Sequence, residues 1–212
     1  MSSAPEKVDR RRARGADTRE QILDAARDAL AENGYGQTTT RSIAERAGVQ
    51  LSLVHYHFRG KQQLLAAVLA RENERLLERQ HALFDGPQPL AQKWRAACAY
   101  LREDVRSGYV RILWELWAVA LADEELAGAW REAIAGWRAL LTGVAREWSA
   151  RLAVPPPIAP ELLATLVGSA FLGAETEILA GFAEEEAHHV EALEIVAGLI
   201  EWAEGRSHDG GR

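Results

Sequence analysis

Hydrophobic positions recur in steps of three and four along most of the chain, and no stretch alternates long enough to make a strand, so the pattern predicts an all-α protein. The first apolar stripe, Ile22, Ala25, Ala26, Ala29 and Leu30, predicts a helix. Thr18 opens it, with Gln21 three residues on completing a capping box, and Asn33-Gly34 closes it. Thr38, Thr39 and Thr40 then offer hydroxyls to the orphan amides of a short helix with Ile43, Ala44 and Ala47 on one face. Gly48 ends that helix in a left-handed conformation, and Val49 fills the corner. A second short helix, Gln50 to His57, follows with Leu53, Val54 and Phe58 turned inward. Two short helices joined by a tight glycine turn predict a helix-turn-helix, with Tyr35 packed back on its three-helix core.

Beyond Lys61 the helical period continues without repeats. Leu64, Leu65, Val68, Leu69, Leu76 and Leu77 predict a long amphipathic helix to Phe84, broken at Gly86-Pro87 and Pro89. Next come Leu90 to Ser107, with Trp94, Cys98 and Leu101 on one face and Gly108 as its stop, and Val110 to Ala122. A helix from Glu124 to Ala153 carries an apolar seam of Trp130, Ile134, Trp137, Leu141, Val144 and Trp148, ended by Pro155, Pro156 and Pro157. Two helices, Pro160 to Gly181 and Glu184 to Glu204, close the chain. The first of these is apolar around more than one face. Leu166, Ala170, Phe171 and Ala174, with Leu193, Val196 and Ile200 of the next, are therefore expected to form a four-helix interface with a second copy of the chain. The predicted organisation is a disordered basic arm (1–16), an N-terminal three-helix helix-turn-helix domain (17–61), a C-terminal helical bundle for ligand binding and dimerisation (62–205) and a disordered tail (206–212).

Charge divides the chain at the same place. The net charge of −6 argues against a nucleic-acid partner until it is resolved by region. Residues 1–61 hold 11 basic and 8 acidic residues, whereas the remainder holds 14 and 23. A basic head on an acidic body is the footprint of a DNA-binding module joined to a domain of another kind. The cluster Arg10, Arg11, Arg12 and Arg14 suits an arm laid on the DNA backbone or in its minor groove. One cysteine, Cys98, excludes an intramolecular disulfide. No secretory segment is legible, and the uncharged run Leu162 to Ala174 falls short of the roughly 20 residues of a membrane helix, which predicts a cytoplasmic protein with no membrane partner.

The short helix from Gln50 leaves Gln50, Leu51, Ser52, His55, Tyr56 and His57 on its outer face or edge, and Lys61 just beyond. Such side chains bond to base edges and phosphates and touch thymine methyl groups. The run from Thr18 to Leu65, with ILDAARDALAENGY, TTRSIAERAGV, HYHF and K-x-x-LL in register, resembles the DNA-binding domain of the TetR (tetracycline-repressor) family of transcriptional regulators. The resemblance implies that Thr39, Thr40 and Arg41 lie near DNA, that Tyr56 and His57 contact phosphates, and that Lys61 caps the contact surface. The chain departs from the family pattern at Leu51 and Gly60.

No nucleophile motif, phosphate loop, dinucleotide fingerprint or metal-ligand set is legible, so neither catalysis nor a cofactor or metal is expected. Six of the seven tryptophans lie between Trp94 and Trp148. A cavity for an apolar or cationic guest is expected among Trp94, Trp114, Glu115, Trp117, Trp137 and Glu175, with Glu177 as a second acidic candidate on the penultimate helix. The resulting expectation is a homodimeric repressor that binds a palindromic double-stranded operator and is released by a small-molecule inducer of unknown identity. The alternatives are a DNA-binding regulator controlled by a protein partner and, more remotely, a helical-bundle enzyme.

Overall fold

The computed structural model describes residues 4–152 and 156–209, with side chains over 15–152 and 156–205. Among the described residues ten helices follow in order: α1 (Ala4–Gln37), α2 (Thr40–Ala47), α3 (Leu51–His57), α4 (Lys61–Phe84), α5 (Leu90–Ser107), α6 (Tyr109–Ala120), α7 (Glu124–Arg151), α8 (Pro160–Ala180), α9 (Glu184–Ala187) and α10 (His189–Asp209). They build two compact units. One comprises residues 1–72 and 111–131, the other 73–110 and 132–212.

The first unit is closed by a single apolar core. Ile22, Ala26 and Leu30 of α1, Ile43 of α2, Val54 of α3 and Leu64, Leu65, Val68 and Leu69 of α4 are buried together with Ile112, Leu113 and Leu116 of α6 and Leu126 of α7. The unit is thus larger than the 17–61 read from the sequence. Three short helices bury too little apolar area to stand alone, and α4 and α6 supply the missing walls. Arg111 of α6 donates to the Ala31 carbonyl at 3.0 Å, and Glu115 Oε2 accepts the Tyr35 amide at 3.0 Å. Gly34 carries a φ of 72° and sits under that carboxylate, where an added Cβ would meet Glu115 Oε1 at 2.6 Å. The left-handed backbone favours glycine here, and a side chain would also displace the Glu115 carboxylate.

Helix α1 runs through Thr18 without a cap there and reaches back to Ala4, so the arm expected at 1–16 is helical from that point; residues 1–3 lie outside the described residues. Ala, Lys, Glu and Arg are strong helix formers, and Pro5 falls in the first turn, where its missing amide costs nothing. Likewise α10 passes the expected stop at Glu204 and runs to Asp209. A partly buried ion network joins α1 to α4. Arg71 meets Asp24 at 2.9 Å and Glu20 at 3.1 Å, and Arg27 meets Glu72 at 3.4 Å.

The second unit packs α5, α8 and α10 around Trp94. Its indole nitrogen donates to the Leu193 carbonyl at 2.8 Å, and Phe171 stands edge-on to both Trp94 and Trp137 at 5.7 Å. Arg79 grips Asp104 through two 2.7 Å bonds and lies over Tyr100. Burial raises the Asp104 carboxyl above its ordinary range, and Arg79 opposes that rise. By length and mean hydropathy, 1.4, α8 resembles a membrane span. Here it is a wall of a bundle, burying Ala164, Val167, Phe171 and Ala174 at heptad spacing.

Two sequence expectations change in this unit. Of the α7 seam only Leu141 is fully buried, and Trp130 belongs to the first unit. The last helix is not continuous. His188 takes a left-handed φ of 50°, separating α9 from α10.

Candidate nucleic-acid interface

Local capping fixes the helix-turn-helix. Thr39 is extended, its Oγ1 accepts the Ser42 amide at 3.0 Å, and Ser42 Oγ accepts the Thr39 amide at 3.0 Å, a reciprocal box that starts α2. Thr38 is buried instead, its hydroxyl donating to the Gly34 carbonyl at 2.8 Å. At the other end Gly48 (φ 65°) turns the chain, and the Val49 amide bonds to the Ala44 carbonyl at 3.0 Å. An added Cβ at Gly48 would meet nothing within 4 Å, so conformation alone demands glycine there.

Val54 and Phe58 anchor α3 in the core. Three residues before Val54, Leu51 shares that stripe and packs half-buried against the core, whereas Leu53, one step away around the helix, is 39% exposed. This corrects both expectations: Leu53 is not an inward residue, and Leu51 is a packing residue at the edge. Ser52, His55 and Tyr56 stand outward, Tyr56 being 82% exposed and edge-on to half-buried His57 at 5.1 Å. Gln50 precedes α3, exposed, and its side chain makes no capping bond. Arg41 is exposed on the first turn of α2, and Thr40 beside it is half-buried.

Lys61 plays a second part. Its ammonium donates to the Tyr35 carbonyl at 2.6 Å and lies 3.5 Å from the Tyr35 ring centroid, and burial lowers its pKa. It ties the start of α4 to the end of α1, leaving two of three donors for other work. The expected set omits Arg59, an exposed cation in the α3–α4 turn whose amide donates to Gln63 Oε1 at 2.7 Å. Arg46 is exposed but engaged: it holds Glu32 in two bonds of 2.7 and 2.5 Å, which keeps the Glu32 carboxyl below its usual range.

The six residues expected to line a ligand cavity fall in both units. Trp114 and Trp117 meet edge-to-face at 5.5 Å with Trp130 beyond, and Glu115 is committed to Tyr35. Trp94 and Trp137 meet through Phe171, and Trp94 is engaged with Leu193. Glu175 is half-buried on α8. The interface residues divide as well. Leu166 and Ala170 are exposed and Val196 half-buried, but Phe171, Ala174, Leu193 and Ile200 are core residues of this chain. The exposed large apolar positions on α8 and α10 are Leu162, Leu166, Leu179, Ile195, Leu199 and Trp202. Both helices bury one stripe and expose another, and composition alone does not separate the two.

Fold and site together define an all-helical transcription regulator with a helix-turn-helix. Residues 22–68 match the model of the tetR family of bacterial regulatory proteins. The chain is 34% identical over 98 residues to the regulator SrpR of Pseudomonas putida, covering 45% of this chain and 43% of that one. It is also 34% identical over 98 residues to the regulator TtgW of Pseudomonas putida, covering 45% of this chain and 68% of that one. Among solved structures, a TetR regulator of Haloarcula marismortui superposes with a TM-score of 0.72 at 23% identity, covering 87% of this chain and 96% of that one. Bacillus subtilis FadR in complex with stearoyl-CoA gives 0.69 at 19% over 85% and 96%. A Saccharomonospora viridis regulator in complex with choline gives 0.69 at 19% over 86% and 94%. The chain belongs to the tetR family of bacterial regulatory proteins.

Proposed function

We propose that the chain is a ligand-responsive transcriptional repressor that binds a palindromic operator as a homodimer and leaves it when a small molecule occupies its second unit. The observation that carries the reading is the outer face of α3: Ser52, His55 and Tyr56 project from a helix locked by Val54 and Phe58. A rigid helix with a polar outer face is what major-groove reading needs. Gln50, Ser52 and His55 suit base edges, while Thr39, Arg41, Tyr56, Arg59 and Lys61 suit phosphates.

A single helix-turn-helix reads few base pairs, and a two-fold pair reads half-sites roughly 34 to 36 Å apart or somewhat more. The exposed stripe on α8 and α10 is the surface for that pairing: its large apolar side chains on adjoining helices exceed what a solitary soluble surface presents. Two fold neighbours are complexes with small molecules, which supports an effector in this chain. Helix α4 begins in the first unit and ends in the second, so it is the covalent lever through which an effector would bias the reading heads.

The test begins with selection of bound duplexes from a random pool. Tyr56→Ala and Arg59→Ala should then weaken binding to the selected site, and Arg59→Ala, which removes a charged phosphate contact, should also reduce the magnitude of the salt slope, log K against log [salt], by about 0.9. Gln50→Ala and Ser52→Ala should change the selected motif. A pool that yields no motif, or variants with unchanged affinity, slope and motif, removes the assignment.

A further inference from the structure

Between α5, α7, α8 and α10 the second unit holds a groove of about 700 Å³, a size ordinary for small-molecule sites. Its floor is buried and apolar, built from Trp94, Leu141, Val167, Leu193 and Ile200. Among its described lining residues only Glu177 and His189 are ionisable, and they share one end: Glu177 in the last turn of α8, His189 opening α10. From there to Leu163 the groove follows α8 for about 20 Å at the ordinary helical rise.

The polar end has a definite sign. His189 is 7% exposed, its Nε2 lies 3.0 Å from Glu184 Oε2, and its Nδ1 is buried without a hydrogen-bond partner, 3.7 Å from Glu177 Oε2. Both ring nitrogens of His189 thus face a carboxylate, Glu184 on one side and Glu177 on the other. The start of α10 would ordinarily attract an anion. Here Glu184 already occupies it, accepting the Val190 and Glu191 amides at 3.0 Å. Burial pushes the Glu184 carboxyl up, but those two bonds together with nearby His189 and Arg102 hold the group below its usual range. A carboxylate head entering at this end would meet Glu177 and Glu184, whereas the C-terminal end of α8 and Glu177 both favour a cation.

We propose that the groove binds an amphipathic cation, whose protonated amine pairs with Glu177 at this end while its elongated apolar body lies along the floor. This rests on the reading of the chain as a ligand-responsive regulator, for which it names the effector class. Leu166, Leu199 and Trp202 form the rim and belong also to the exposed face proposed for pairing, but the floor and the acidic end are built by one copy alone.

The probe is dodecylamine, titrated below its micelle concentration into the full-length protein and followed by calorimetry and tryptophan fluorescence, with dodecanoate and dodecanol alongside. Saturable binding of the amine, with dodecanoate at least tenfold weaker, is expected. Glu177 has a 53% exposed side chain, so Glu177→Gln should keep the circular dichroism unchanged. It should lower amine affinity roughly tenfold and leave dodecanol unchanged. Dodecanoate binding as well as the amine, or an amine affinity untouched by Glu177→Gln, overturns the proposal. Operator affinity is read separately: an amine that binds without moving it keeps this site and removes the regulatory reading, whereas intact operator binding with no amine bound removes this site alone.

Discussion

The two units differ in how completely each closes on itself. In the first, Ile22, Leu30, Ile43, Val54 and Leu64 are wholly buried, both ends of α2 are capped, and the large apolar residues left outside are few and scattered. In the second, Ile158, Leu162, Leu166, Phe182, Ile195, Leu199 and Trp202 stand in solvent, concentrated on α8, α10 and the segments beside them. Buried polar atoms without hydrogen-bond partners occur in both, at Arg71 Nε and Trp130 Nε1 in the first and at Gln80, Trp148 and His189 in the second. The first unit is therefore a finished body that presents chemistry outward, and the second is a surface and a groove that other molecules complete.

That contrast breaks most visibly through core truncation. Phe58→Ala removes a ring that closes the core beneath α3 and should cost about 3 to 5 kcal/mol. Urea unfolding measures it, and a loss below about 1 kcal/mol would mean that the first unit is not the closed body described. A smaller effect follows at the turn. Gly48→Ala places a Cβ in open space but on a left-handed backbone, so about 1 to 2 kcal/mol should be lost through backbone strain alone.

Helix caps sharpen the comparison with opposite signs. Thr39→Ala opens the box at α2 and should lose about 1 kcal/mol. Ala159, the cap of α8, is extended and makes no side-chain bond, so Ala159→Asp should gain up to about 1 kcal/mol. Thermal melts of the two variants that move in the same direction would contradict the difference drawn between the units.

Cys98 reports on the closed part of the second unit. Burial, with Glu194 nearby, pushes its thiol up to about 12. In the unfolded chain the thiol ionises near 8.5, so its contribution to stability is complete below about pH 8.5 and declines as pH rises toward the folded value. At pH 8 a thiol reagent should label the native protein far more slowly than the urea-unfolded chain. Equal rates would mean that α5 opens readily.

What was legible in the sequence follows the same division. Caps, the Gly48 turn and the α5 limits rest on local rules, and the residues that obey them are visible singly: Thr39, Gly48, Pro89, Gly108. The choice between Leu51 and Leu53 was not legible, because two leucines a step from the same stripe differ only in what lies beneath them. The break at His188 carries neither glycine nor proline to announce it. The first unit's true extent depends on Ile112, Leu113 and Leu116, distant in sequence from the helices they cover. For the candidate site, the outward face of α3 was readable, whereas the engagement of Lys61 with Tyr35 and the acidic end at Glu177 and His189 come from tertiary placement.

The smallest effect on the fold should come from a residue of the exposed stripe proposed for pairing. Leu166 and Phe171 are both apolar residues of α8, five positions apart and on different sides of it. Phe171 packs edge-on between Trp94 and Trp137, so Phe171→Glu buries a charge without a partner and should unfold the second unit. Leu166 is 65% exposed, so Leu166→Glu, compared at concentrations too low for pairing, should change stability by no more than about 0.5 kcal/mol. At higher concentration the same substitution places like charges across a two-fold contact, and light scattering should show a folded single chain where the parent protein is paired. Operator binding should fall with it, since paired half-sites then lose their second reader. A Leu166→Glu protein that still pairs would move the contact away from this stripe, and one that unfolds would place Leu166 in the core, erasing the difference between its two sides of α8.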